Sequence, residues 1–291
     1  MNNQSFKRQC KNHQSKYRSD VLKVKEDKYP NVIREDDGFK NGLNFYSGFG
    51  IFQSVKKRYP YFRGPLYCNL LRSEHIPFNF FIPLDEDKEF GGKVLNDIVG
   101  GFIKKILTIK IEYPDQTPTT YLEDRTSFDT YIEYQHTDGS LGFLGIEVKY
   151  TEKSYPLSGT TEKDKMNDTN SIYYRRSKDS GVFDIEDLTV LKQNKYRQIW
   201  RNQLLGESIL IVENQKYRHS NFHSLTFYPE GNTHFTEVIT HYQRFLKPEF
   251  HDRVQGVTYE RFFESCQKYL PDDDYKKWLE YLRRRYLPSL F

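Results

Sequence analysis

Hydrophobic and polar positions alternate most clearly between residues 128 and 150. Phe128, Thr130, Ile132 and Tyr134 share one side of an extended segment, and Leu144, Ile146 and Val148 share one side of a second. Thr137-Asp138-Gly139-Ser140 lies between them, and Asp-Gly joining two alternating runs is a strong hairpin signal. The pattern predicts strands over residues 128–135 and 141–150.

Elsewhere the apolar spacing is mostly helical. Residues 1–28 alternate basic and apolar positions, with Tyr17, Val21, Leu22 and Val24 spaced for a helix. Residues 30–63 are rich in Gly, Asn and Asp and read as loops with short strands. A helix is expected over residues 66–76, stopped by Pro77, and then an extended run over residues 78–84 closed by proline. Residues 90–109 read as a helix entering a strand, broken at Gly100-Gly101. Residues 152–183 are polar and read as a long loop or flap that orders with a ligand. A helix over residues 185–212, a strand over 224–228 and helices over 236–246, 258–269 and 274–286 complete the chain. No repeat or Gly/Ser linker divides it. The expectation is a mixed α/β fold, with residues 1–63 a basic N-terminal extension packed on a core of residues 64–291.

Composition changes this picture in one respect. Only 36% of the 291 residues are hydrophobic and 29% are charged, yet 16% are aromatic, including 22 Phe and 23 Tyr. Aromatic side chains bury large areas apiece, so they stand in for the scarce aliphatics and the chain is expected to fold. No run of about 18 apolar residues marks a membrane span, and the polar, basic first sixteen residues lack the apolar segment of a secretory signal. Cys10, Cys68 and Cys266 form neither a zinc pattern nor a disulfide framework, which suits a reducing cytoplasm.

Charge is uneven although the net value is only +4. Residues 1–72 carry 15 Lys and Arg against 6 Asp and Glu, so the remainder is net acidic. The basic groups include Lys7, Arg8, Lys16, Arg18, Lys56, Lys57 and Arg58, interleaved with tyrosines, and a further cluster stands at Arg283-Arg284-Arg285. Such a distribution suits a polyanion whose phosphates are neutralised, or else a solvated surface.

The hairpin carries the candidate chemistry. With its reversal at Asp138-Gly139, position 129 falls opposite 147 or 148. Asp129 then projects with Glu147 and Lys149 from the face opposite the apolar one. Directly opposite side chains have Cβ atoms about 5 Å apart, close enough for two carboxylates to share a divalent cation, with an ammonium beside them to orient water and offset charge on a phosphate. A cross-strand salt-bridge ladder is the alternative for the same three residues. His219 and His223 are four apart, but Ser220-Asn221-Phe222 reads as a turn, and no metal site is assigned to them.

Asp on one strand followed by Glu-x-Lys on the next resembles the signature of the PD-(D/E)XK nuclease superfamily, and more narrowly a bacterial restriction-endonuclease-like family within it. The similarity extends through residues 13–18, 69–74, 78–84, 126–129, 147–152, 196–205 and 228–232. The resemblance implies a restriction-endonuclease-like core, a central mixed β-sheet flanked by helices. It further implies Asp129 and Glu147 as ligands of Mg²⁺ or Mn²⁺ and Lys149 as the catalytic lysine. Glu74, expected in a helix before the core strands, occupies the place of a further acidic ligand, where the narrower family has Gln. Gln198 is implied as a catalytic-site residue and Arg201 as a DNA contact, on one helix face with Leu205. Glu152 is expected to be a supporting or surface residue. The activity implied is metal-dependent hydrolysis of DNA in restriction or defence, with backbone phosphates as the main contact and a homodimer or partner protein open. A non-catalytic nucleic-acid-binding subunit and an RNase or single-strand nuclease are the alternatives.

Overall fold

The computed structural model describes residues 3–61, 64–114, 121–154, 160–213 and 219–288. In chain order its elements are α1 (Asn3–Lys16), α2 (Ile51–Arg58), α3 (Pro65–Cys68), α4 (Ile76–Glu86), α5 (Lys88–Val99), β1 (Ile103–Tyr113), β2 (Phe128–His136), β3 (Leu141–Val148), α6 (Thr160–Asn167), α7 (Ile172–Ser180), α8 (Arg197–Glu213), β4 (His219–Tyr228), α9 (Thr233–Gln243), β5 (Val254–Thr258), α10 (Tyr259–Tyr269) and α11 (Asp273–Tyr286). Five strands form one sheet in the order β1-β2-β3-β4-β5. β1, β2 and β3 are antiparallel, while β3, β4 and β5 are parallel. The sheet is mixed and flanked by helices, as expected for a restriction-endonuclease-like α/β core.

Both faces of this sheet are covered. On one, Ile132, Leu144, Ile146 and Phe227 pack against Phe80 and Phe81 of α4, Phe262 of α10 and Trp278 of α11, together with Phe6 and Cys10 of α1. On the other, Tyr131, Phe143 and Phe222 pack against Tyr173 of α7, Trp200 and Leu204 of α8, and Tyr242 of α9. A satellite cluster joins Ile51 and Val55 of α2 to Tyr67 and Phe78. The sequence reading gave the hairpin one buried face only. It is central, and seven of the eight residues of β3 are buried, as in a strand covered on both sides. Phe128 also leaves its expected face, because its ring fills the space over Gly145 where a Cβ would stand.

Four further expectations are corrected. Residues 78–84 are helical, within α4. Pro77 lies in the first turn, where a missing N–H costs nothing. Pro83 deprives the Asn79 carbonyl of its helical donor, but the Trp278 Nε1–H donates to that carbonyl at 2.8 Å. Within residues 66–76 the helix stops at Cys68, with a turn before α4. The segment read as a flap contains α6 and α7, and the tyrosines that looked polar, Tyr173 and Tyr174, close edge-on over Trp200. The long helix expected from residue 185 begins only at Arg197, after a short 3₁₀ turn over Leu188–Lys192.

β4 begins at His219, so the residues read as a turn there are strand. A register step between the pairs Leu141/His219 and Gly142/Asn221 sends the two histidines apart. His219 meets the Phe143 ring and His223 stacks on Phe102. The short strand β5, which pairs with β4, has no counterpart in the sequence reading.

Candidate active site

The β2–β3 reversal is held by the Asp138 carboxylate, which accepts from the Ser140 N–H at 2.8 Å, and by Gly139 at φ 91°. From that turn, Thr130 pairs with Ile146, which puts Asp129 across from Glu147. On the other side of β2, the pairs Ile111/Thr130 and Tyr113/Phe128 bracket Glu112 and Asp129. Three acidic residues thus occupy one row across the sheet, of which the sequence reading saw two.

Each of the three expected site residues is fixed by its surroundings. The Val148 N–H donates to Asp129 Oδ2 at 2.7 Å. The Lys149 backbone is fastened on both sides: its N–H donates to the Phe227 carbonyl at 2.8 Å, and its carbonyl accepts from the Tyr259 hydroxyl at 2.8 Å. Its ammonium, on a side chain only 2% exposed, lies 2.6 Å from Glu147 Oε1. From α8, Gln198 Nε2 donates to the same oxygen and Asn202 Nδ2 to Glu147 Oε2 at 2.9 Å. Gln198 and Asn202 are four apart, one helical turn, so both amides reach one carboxylate. Asn202 was missed as a site residue, although its spacing from Gln198 was readable.

Burial pushes the Asp129 carboxyl well above the usual range, and the neighbouring Glu147 carboxylate adds to the effect. Lys149 and the Val148 N–H oppose the rise, and Glu112 reinforces it. Two carboxylates facing each other in a desolvated place hold a proton or a cation between them. The donors are hard oxygens, which fit Mg²⁺ or Mn²⁺. Among the described residues there is no cluster of three or more His, Cys, Asp or Glu side chains placed to hold a metal ion.

Glu74 is not on a helix. It stands on the turn before α4, since Pro77 starts that helix only at Ile76. It faces the same cleft as Asp129 and Glu147. Its carboxylate is forked by the Arg72 guanidinium, with Nε 3.0 Å from Oε2, a contact that competes with any metal role. Glu152 is a brace: it accepts from the backbone N–H groups of Tyr150 and Thr151, both at 2.9 Å, and of Ser73 at 3.2 Å. It thereby ties the end of β3 to the Arg72–Glu74 turn.

Most of the expected DNA contacts lie elsewhere. None of Lys7, Arg8, Lys16, Arg18, Lys56, Lys57 and Arg58 lines the cleft. Lys7, Arg8 and Lys16 are exposed on α1, and Lys57 on α2. Arg18 is 2.7 Å from Glu26 and donates to the Pro30 carbonyl, Lys56 covers the Phe39 ring, and Arg58 Nη2 donates to the Glu112 carbonyl at 3.1 Å. Arg285, from the second basic cluster, is fully buried over Tyr17. Arg201 does line the cleft. It is held by Thr126 Oγ1 at 2.7 Å, Glu162 at 3.2 Å and Asp124 at 3.4 Å. Leu205, placed on the same helix face, is in the core.

A family model described as PD-(D/E)XK nuclease superfamily matches residues 1–288. The chain belongs to the PD-(D/E)XK nuclease superfamily. Searches of curated proteins and of solved structures returned no match. Among the described residues of this nuclease-superfamily chain, no helix is long and apolar enough to cross a membrane.

Proposed function

We propose that the chain is a Mg²⁺- or Mn²⁺-dependent endonuclease that hydrolyses phosphodiester bonds of DNA, with a role in restriction or defence against foreign DNA in the cytoplasm. The observation that carries this reading is the meeting of Asp129, Glu147 and Lys149 in one cleft, from adjacent strands, in a chain matched to nucleases over nearly its whole length.

In this reading Asp129 and Glu147 hold the cation, while Glu74, drawn off by Arg72, has an outer role. Bound there, the ion supplies Lewis-acid polarisation of the phosphate and a more acidic water. The chain's own groups do the rest. Gln198 and Asn202 fix the plane of the Glu147 carboxylate, and the Val148 N–H fixes Asp129. Lys149, locked by its backbone and buried, presents its ammonium where charge builds up on the phosphoryl oxygens and orients the attacking water. A preorganised donor of this kind is worth about 100–1,000-fold in rate. One site cuts one strand, so double-strand cleavage calls for two copies of the chain.

The test is plasmid DNA at low salt with purified protein, with and without Mg²⁺ or Mn²⁺, beside Asp129→Ala and Lys149→Ala. Metal-dependent cutting lost in both variants is the expected result. Binding without cutting under either metal would leave a DNA-binding subunit instead, and cutting confined to RNA or single strands would move the substrate. Light scattering with and without a short duplex reports whether two copies assemble.

A further inference from the structure

The cleft has two lobes that meet at Glu147 and Lys149. One, of about 260 Å³, runs past Asp129, Glu74 and Arg72. The other, of about 230 Å³, runs past Lys153, Lys195 and Arg197. Both share Gln198, Arg201 and Asn202. In the first lobe Glu74, Asp129 and Glu147 stand among Arg72, Arg125, Lys149 and Arg201, whereas in the second five cations, Lys149, Lys153, Lys195, Arg197 and Arg201, face only Glu147 and Glu162.

We propose that the second lobe binds the backbone phosphate next to the scissile one, so that Lys153, Lys195 and Arg197 fix how the strand lies across the site. This deepens the endonuclease reading and rests on it. Three observations support the assignment. The charges around the lobe do not cancel: Lys149 is matched by Glu147, and Arg201 by Glu162 and Asp124, whereas Lys153 and Lys195 form no ion pair among the described residues. The groups are also held together. Asn194 Nδ2 donates to Ser154 Oγ at 2.8 Å, and Arg197 Nη2 donates to Asn194 Oδ1 at 2.8 Å. Those two bonds join the loop after β3 to the start of α8, which brings Lys153 and Lys195 to one rim from positions far apart in sequence.

The third observation is electrostatic. Lys153 and Lys195 both act on His234 at the start of α9, adding to the burial that lowers its pKa. Arg197 is likewise lowered, first by burial and then by the Arg201 cation. Positive charge is thus gathered at this rim, with Glu237 opposing it at His234 and Glu162 opposing it at Arg197. An anion relieves it, and a phosphodiester reaching Lys149 from the first lobe has its next phosphate available to do so. The lysine rim disfavours a cation away from Glu147, and an apolar ligand would leave the lysines desolvated.

The test uses the full chain and a short DNA strand, or duplex, cut at one position. Lys153→Gln/Lys195→Gln changes only exposed side chains, so folding is preserved. We expect KM to rise about tenfold with a smaller change in kcat. The slope of log affinity against log salt should flatten by about 0.7–0.9 for each lost contact. Single methylphosphonate substitutions then locate the phosphate. Neutralising the one beside the scissile bond should weaken wild type about tenfold and leave the double variant no weaker than before. An unchanged salt slope, or the same methylphosphonate penalty in both proteins, overturns the assignment. If wild type binds the strand and never cuts it, the endonuclease reading fails while the slopes still decide the lobe. If it binds no strand at all, both fail.

Discussion

Asp129 is the residue at which function and stability should pull in opposite directions. Its carboxyl is buried beside Glu147 and raised well above its ordinary 3.8. Without a cation, the folded protein must either accept two facing carboxylates or keep a proton on Asp129 that the unfolded chain gives up. The second option sets a ceiling. Holding a proton at pH 7 on a group that ordinarily titrates near 3.8 costs about 4 kcal/mol, at 1.36 kcal/mol per pH unit. A rise of even one unit costs about 1.4 kcal/mol. Asp129→Asn removes this cost, and its amide oxygen can still accept from the Val148 N–H. The variant should therefore be more stable than wild type by about 1–4 kcal/mol at pH 7 in EDTA. For a chain of this size that is about 2–7 °C in Tm. The sign follows from the direction of the shift. A carboxyl raised by folding costs nothing below its unfolded pKa, and the penalty grows as pH climbs from there to the folded value. Thermal melts at a series of pH values should show the two proteins converging near pH 4, if both remain folded there, and separating as pH rises. The same variant should lose metal-dependent cleavage. A variant less stable than wild type at pH 7 in EDTA, or a gap that does not change with pH, would refute the reasoning.

Three further outcomes are expected. Because burial and the Glu147 carboxylate raise the Asp129 pKa in the metal-free state, loading with Mg²⁺ or Mn²⁺ should release protons in the pH range where that raised group is protonated; calorimetry in buffers of different ionisation enthalpy measures this, and the release should vanish in Asp129→Asn. Arg253→Met should destabilise the fold by about 3 kcal/mol, since it leaves Glu207, a buried carboxylate that Arg253 contacts at 3.0 Å, without that cation and with the Gln203 amide as its remaining donor. Adding Glu207→Gln should recover much of that loss in a denaturant melt. Trp278→Phe should cost about 1–3 kcal/mol in excess of its lost packing, because it removes the donor to the Asn79 carbonyl beneath Pro83. In a Pro83→Ala background the restored helical N–H supplies that donor, and a double-mutant cycle should show the excess shrinking.

The parts legible in sequence were those set by neighbours in sequence. The Asp-Gly turn fixes the hairpin, the hairpin fixes which residue faces Asp129, and the Asp129–Glu147 pairing follows from nothing longer than twenty residues. Misreadings arose where distant partners decide. Residues 78–84 are an apolar run bounded by prolines, with no periodicity to choose between helix and strand. Trp278, almost two hundred residues away, is what lets Pro83 stand inside a helix. Glu74 moved for a local reason that was available: Pro77 marks a helix start as readily as a helix stop.

The basic residues carry a more general lesson. Charges adjacent in sequence on a helix point about 100° apart, so a run such as Lys56-Lys57-Arg58 spreads around α2 instead of converging. One of the three covers an aromatic ring, one donates to a carbonyl and one faces solvent. Arg283-Arg284-Arg285 behaves alike, with Arg285 turned into the core. Convergence on one phosphate requires charges from separate elements. Lys153 and Lys195 are single lysines on two loops, with no cluster in the sequence to announce them. A count of charge per segment thus detects helices with crowded polar faces, whereas the juxtaposition of Lys153 and Lys195 follows only from the fold, which brings the loop after β3 to the start of α8.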